Sequence, residues 1–177
     1  MTDQGNDLTV PVTENDHLQG SPDAALVLVE YGDYECVHCG RAYPIVKKIQ
    51  QHFGKDLCFV FRNFPLSQSH PHAEHAAEAS EIADAAGKFW EYHDVLYENQ
   101  DALDDSSLSA HAASLGLDEE GFQNDLQGGT YEDKVQQSFM SGVESGVNGT
   151  PSFFVNGSRY DGDWEYEPFI EYLSSLR

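Results

Sequence analysis

Apolar and polar positions along the chain fall into blocks whose period changes from one block to the next. Residues 1–22 are polar and without sustained period, so they read as an N-terminal arm, with one short edge strand expected at Leu8 to Val12. Leu26 to Tyr31 continues the apolar run that begins at Ala24 and reads as a buried strand. From Cys36 to about Phe53 the apolar residues Ala42, Ile45, Val46, Ile49 and Phe53 recur at spacings of three and four, which predicts a helix. Pro44 lies inside it and removes a backbone donor, so a kink is expected there, and Gly54 ends the pattern. Leu57 to Phe61 is a second strand, apolar enough to be covered on both faces.

From Pro71 to Gly146 every block has a helical period. A small-residue stripe (Ala73, Ala76, Ala77, Ile82, Ala86) precedes an aromatic one (Phe89, Trp90, His93, Leu96, Tyr97). Asp104-Asp105 and Asp118 stand where N-caps are wanted, and Thr130 is expected to open the last helix of the block. Ser152 to Val155, Asn156-Gly157 and Ser158 to Asp161 then read as a β-hairpin with a two-residue primed turn, and Glu165 to Leu176 as a C-terminal helix. The order strand, helix, strand, long helical block, hairpin, helix predicts an α/β fold. Its body is residues 23–70 and 147–177, with residues 71–146 inserted as an all-helical cap.

Composition narrows the partners. A chain of 177 residues suits one domain with a substantial core. Nine Lys and Arg against 31 Asp and Glu give a net charge of −22, which excludes nucleic acid and anionic membrane as partners. Such a lysine-poor acidic surface is suited to staying hydrated in high salt, where screening weakens self-repulsion. No run approaches the roughly 18 apolar residues of a membrane span, so no membrane insertion is expected. Met1 to Asp7 has neither the basic nor the apolar stretch of a secretory signal. Three cysteines, an odd number, make no structural disulfide framework. A cytoplasmic location is therefore expected, with an extracytoplasmic one as the alternative if a leader has been removed. Nothing reads as a dimerisation segment, so a monomer is expected.

The chemistry sits at Cys36-Val37-His38-Cys39, directly after the first strand and short turn and at the start of the first helix. Two thiols one helical turn apart can close and reopen a disulfide. A thiol at a helix start faces unpaired N–H groups that stabilise negative charge, and the thiolate is the attacking species. Cys36 reads as the exposed nucleophile and Cys39 as the sheltered resolving thiol. His38, between them, can stabilise the thiolate through a ring N–H. Asp33 and Glu35 oppose the thiolate, so its pKa is expected between roughly 3.5 and 7, the two extremes spanned by redox-active thiols. The competing readings of the pair are a metal-binding module that uses it together with histidines, and a non-catalytic protein-binding domain. Cys58, mid-strand, reads as core. His70-Pro71-His72-Ala73-Glu74-His75 reads as a polar helix start, with a metal patch as the alternative.

Five segments together resemble the DsbA-like branch of the thioredoxin superfamily, from about Pro22 to Arg177. They are Cys36 to Cys39; Pro44; Phe61-Arg62-Asn63-Phe64-Pro65-Leu66; Gly87 to Asp94; and Gly149-Thr150-Pro151. The resemblance implies a thioredoxin-like sheet interrupted by the helical cap. It implies thiol–disulfide exchange on cysteine-containing proteins or peptides with no bound cofactor and no metal, aided by a redox-recycling partner of unknown identity. It also implies that Glu30, six residues before Cys36, is a buried acid beneath the resolving thiol, relaying a proton to or from Cys39. Thr150-Pro151 would be a cis peptide facing the cysteines, its backbone pairing with an extended substrate. Whether exchange runs toward oxidation, reduction or isomerisation is not set by these residues.

Overall fold

The computed structural model describes residues 7–177. Its sheet is built from β1 (His17–Gln19), β2 (Leu26–Gly32), β3 (Leu57–Asn63), β4 (Ser152–Val155) and β5 (Ser158–Tyr160), in the order β1-β3-β2-β4-β5. Only β2 and β3 run parallel, with Leu26 opposite Leu57 and Gly32 opposite Asn63; the other three pairings are antiparallel. The parallel pair is bridged by the helix α1 (Val37–Phe53), which runs through Pro44 without interruption and closes in a single 3-10 turn at Gly54–Asp56. Between β3 and β4 lie five helices: α2 (Ala73–Ala85), α3 (Phe89–Glu98), α4 (Asp105–Ser114), α5 (Glu119–Gln127) and α6 (Glu132–Glu144). The hairpin turns on Asn156 and Gly157, whose φ values of 50° and 86° are those of a type I′ turn. The chain ends in α7 (Tyr166–Ser175). The architecture is a mixed α/β thioredoxin-like sheet with inserted helices, as the block order predicts.

The alternation of β2 and β3 sorts their side chains into two cores. Leu26, Leu28, Phe59 and Phe61 face α1, α3 and α7 in the larger core, which also holds Cys36 and Cys39. Val29, Tyr31, Cys58, Val60 and Phe154 face the other way, against Phe64 and Phe139. Period two therefore places Glu30, two residues after Leu28, on the cysteine side of the sheet. Cys58, fully buried, belongs to the opposite core and has no route to the cysteine pair.

The N-terminal arm departs from the pattern. Of the residues 1–22 read as an arm, 1–6 lie outside the described residues. Leu8 to Val12 forms no strand; the region carries one isolated bridge, Asp7 to Ser158, and the edge strand is β1 instead. The reason is a buried cation. Arg62 donates from Nη1 to the Val10 carbonyl at 2.9 Å and from Nη2 to the Pro11 carbonyl at 3.3 Å, and it pairs with Asp16 at 2.8 Å. Backbone oxygens held by a guanidinium are lost to a ladder, and Pro11 has no N–H to offer one. The last helix of the cap opens at Glu132, after Tyr131 as N-cap, two residues later than Thr130.

Candidate active site

β2 ends at Gly32 and α1 begins at Val37, so Asp33 to Cys36 form the tight turn that aims the cysteines. Cys36 is the N-cap: its φ and ψ of −74° and 125° are extended, and its carbonyl accepts the first helical bond, from Gly40 at 3.0 Å. All three cysteines are free thiols. Cys36 lies beside the other end of the sheet, with Sγ 3.7 Å from the carbonyl oxygen of Thr150, and the Thr150–Pro151 peptide is cis.

The two thiols are driven apart in acidity. Cys36 is pulled down to about 5, chiefly because the Cys39 thiol donates to its sulfur; burial opposes, and Thr150 and the N–H groups of Cys39 and His38 assist. Cys39 is pushed well above the ordinary thiol range, first by burial and then by its bond to Cys36 and the charge of Glu30. The expectation of a thiolate between the two reference extremes agrees with this value. Exposure does not follow the expected division: Cys36 is only 5% exposed, and the residue that stands out at the turn is Val37, at 76%.

Glu30 is buried under this turn, and its Oε2 accepts no hydrogen bond. Its carboxyl is pushed up to about 8, by burial first and then by the charge on Cys36. Space for it exists because the next residue on that face is Gly32: a Cβ there would lie 2.8 Å from Glu30 Oε2, 2.9 Å from the Tyr97 hydroxyl and 2.5 Å from the Phe61 ring. His38 is exposed, and among the described residues its ring makes no hydrogen bond; its recorded influence on Cys36 is through its backbone N–H.

Three further residues shape the site and are not apparent from spacing. Gln100, just after α3, donates from Nε2 to the carbonyls of Tyr34 and Cys36, both at 2.9 Å, fastening the cap to the turn. Tyr34 is buried and bonds His93 at 2.9 Å. Asp33 bonds His70 at 2.8 Å. The histidine-rich segment does not gather around a metal: His70 turns to Asp33, His75 to Asp105 at 2.6 Å, and the backbone N–H of His72 to Glu35 at 2.9 Å. Among the described residues, the one grouping tight enough for a cation is His17, Glu81 and Asp84, which contains no cysteine. Lys134 already pairs there with Glu81 at 2.9 Å and Asp84 at 3.5 Å. No described helix is long and apolar enough to cross a membrane.

Chemically, a low-pKa thiolate at a helix mouth, a high-pKa thiol one turn behind it and a neutral carboxyl beneath form a thiol–disulfide exchange centre. Comparison with known proteins agrees. A family profile described as thioredoxin matches residues 12–174. The Na(+)/H(+) antiporter NhaA 1 of Mycobacterium sp. (strain KMS) is 44% identical over 168 residues; the match covers 93% of this chain and 27% of that protein. The chain thus spans about a quarter of the length of the curated relatives it matches. Among solved structures, oxidised BdbD from Bacillus subtilis superposes with a TM-score of 0.84 at 24% identity, covering 97% of this chain and 96% of that one. A thioredoxin-like oxidoreductase from Silicibacter pomeroyi DSS-3 gives 0.80 at 26%, covering 93% and 94%. Wolbachia pipientis alpha-DsbA1 gives 0.80 at 23%, covering 96% and 94%. These matches overturn the cytoplasmic expectation. DsbA-like proteins serve oxidising space outside the cytoplasm, and a catalytic cysteine pair needs no accompanying disulfide framework, so an odd cysteine count says nothing about compartment.

Proposed function

The chain belongs to the thioredoxin family, with the helical insertion of its DsbA-like members, and on that premise we propose that it exchanges disulfides with cysteine-containing polypeptides outside the cytoplasm. The observation that carries this reading is the free thiol pair at the mouth of α1, Cys36 as N-cap with its Sγ 3.7 Å from the Thr150 carbonyl of the cis peptide and Cys39 one turn behind. In the reducing direction the Cys36 thiolate attacks one sulfur of a substrate disulfide. A Cys36–substrate disulfide forms, and the other substrate sulfur leaves as a thiolate and takes a proton. Cys39 then loses its proton, attacks Cys36 Sγ and expels the second substrate sulfur; the substrate is reduced by two electrons and the pair oxidised. Oxidation of a dithiol substrate is the same path reversed. Glu30, whose carboxyl titrates near neutrality, takes the proton from Cys39 or returns it. Thr150 and Pro151 receive the substrate backbone beside Cys36 as an added strand. His38 lends a backbone N–H to the thiolate, and the cap, residues 71–146, forms one wall. A separate recycling partner resets the pair.

The experiment is insulin-disulfide reduction with dithiothreitol, alongside metal analysis of the same preparation. Wild type is expected to accelerate precipitation, Cys36→Ser to lose all acceleration, and Cys39→Ser to accumulate a mixed disulfide. Full activity in Cys36→Ser, or stoichiometric metal with both thiols protected from alkylation, refutes the proposal.

Two observations favour other readings. The relatives at 40–44% identity that are named antiporters are about four times longer than the match. A domain of this kind joined to a transport protein would use its cysteine state, or its groove, in protein contact rather than turnover. The His17–Glu81–Asp84 cluster speaks for a metal-binding module, though one away from the cysteines and already holding an ammonium. The same insulin assay separates exchange from contact, and the metal analysis separates both from the third.

A further inference from the structure

The turn before Cys36 is tied to the loop between β3 and α2 by two acidic side chains. Asp33 has a fully buried side chain. Its Oδ1 accepts the N–H of Glu35 at 2.8 Å, and its Oδ2 accepts the N–H of Leu66 at 2.9 Å and His70 Nδ1 at 2.8 Å. Its backbone carbonyl accepts the N–H of Cys36 itself, at 3.1 Å. Glu35 reaches the same loop, accepting the N–H of His72 at 2.9 Å. A carboxylate taken wholly out of water needs a counter-charge, because removing the partner of a buried ion is strongly unfavourable. Of the three groups bonded to the Asp33 carboxylate, two are neutral amides; His70 is the one able to carry a positive charge.

We propose that His70 is a positioning residue for the exchange reaction: as an imidazolium on Asp33, it cancels the buried negative charge three residues before Cys36 and so holds the attacking sulfur as a thiolate. This rests on the proposed exchange chemistry and deepens it. Asp33, Glu35 and the Cys36 sulfur are the charged groups acting on His70. Burial lowers its proton affinity, yet the bond and charge of Asp33, followed by Cys36 and Glu35, raise it above the ordinary histidine value. Around Cys36 itself stand Cys39, Glu30, Thr150 and the amides of the first turn. Without the imidazolium, the buried Asp33 carboxylate behind the turn is left uncompensated and disfavours a second anion. The relation is reciprocal: if the imidazolium favours the thiolate, the thiolate favours the imidazolium by the same factor. When a dithiol donor reduces the pair by two electrons, Cys39 takes up one proton and Cys36 remains a thiolate. His70 should then bind its own proton more tightly than it does beside the neutral disulfide.

Two measurements test this in the whole protein. The first is the ultraviolet thiolate absorbance of the reduced form against pH, with thermal melting as a check on folding. His70→Gln should raise the proton affinity of Cys36 by roughly three- to tenfold, the size of one nearby charge partly shielded by water. The couple should then be less oxidising by about 15–30 mV, at about 30 mV per tenfold. In an Asp33→Asn background, His70→Gln should add almost nothing, since the charge to be cancelled is gone. The second follows the His70 ring by NMR in wild type, which needs no variant: its titration should move to higher pH on reduction. An unchanged Cys36 titration in a folded His70→Gln protein, or identical His70 titrations in both redox states, overturns the proposal. Both readouts are spectroscopic, so a failure here is told apart from a failure of turnover in the insulin assay, which refutes the exchange reading itself.

Discussion

Glu30 is 2% exposed with one carboxylate oxygen unpartnered, and a charge there is costly. In the unfolded chain a glutamate ionises near its ordinary value of 4.5, whereas in the fold this one holds its proton to about 8. Below the first value both states are protonated and the burial is free of this cost. Between the two, folding must take up a proton, so stability falls as pH rises through the interval, by at most about 5 kcal/mol at roughly 1.4 kcal/mol per unit. Glu30→Gln in the oxidised form, where no thiolate complicates the titration, is therefore expected to melt above wild type at pH 8 more than it does at pH 4.5. An equal difference at both values would show that the carboxyl is not the titrating group. At this scale the cysteine pair could be read directly, because its meaning lies in a spacing of three within one turn. Glu30 could be read by counting along one strand. His70 could not: its partner Asp33 is 37 positions away, and a histidine next to Pro71 carries no mark of that pairing. Nor could the pinched exposure of Cys36, which depends on Thr150, 114 positions on.

Among the elements, α6 packs on the sheet, and Gly142 is a point of close approach. A Cβ at this position would come within 2.7 Å of Phe64 Cδ2 and 3.0 Å of Tyr31 Cδ1, both on buried rings. On an exposed helix, Gly to Ala gains about 1 kcal/mol of propensity. Here overpacking, typically about 1–3 kcal/mol, works against it and prevails. Gly142→Ala is expected to lower the urea midpoint with little change in slope; a raised midpoint would mean the two rings can yield. The helices of the cap were legible from apolar stripes such as those of α2 and α3 and from the Asp caps of α4 and α5. Periodicity could not show that the aromatic stripe of α3 packs on the sheet: Phe89, His93 and Tyr97 ring Phe61 at centroid distances of 6.3, 4.7 and 6.2 Å. The misplaced first strand has the same origin. Leu8 to Val12 has a strand's composition, and only the distant guanidinium of Arg62 decides that its carbonyls are already engaged.

At the scale of the whole molecule, a net charge of −22 on 177 residues makes self-repulsion a global term. Raising KCl from about 0.1 to 1 M shortens the screening length from about 10 to 3 Å, so the melting temperature is expected to climb by several degrees across that range. A steady fall would mean that ion pairs such as Arg41 to Glu165 and Lys47 to Asp94 outweigh the repulsion. Charge count was plain from the sequence; the way the cap and the body are fastened was not. Gln100 grips two carbonyls of the cysteine turn, and Gly40 leaves it room, since a methyl there would land 2.7 Å from the amide carbon. The cap is thus stapled to the turn that carries the cysteines. Prising the two apart forfeits both staples, about 1–3 kcal/mol for the pair, so swinging the cap clear of the thiols is uphill before anything is bound.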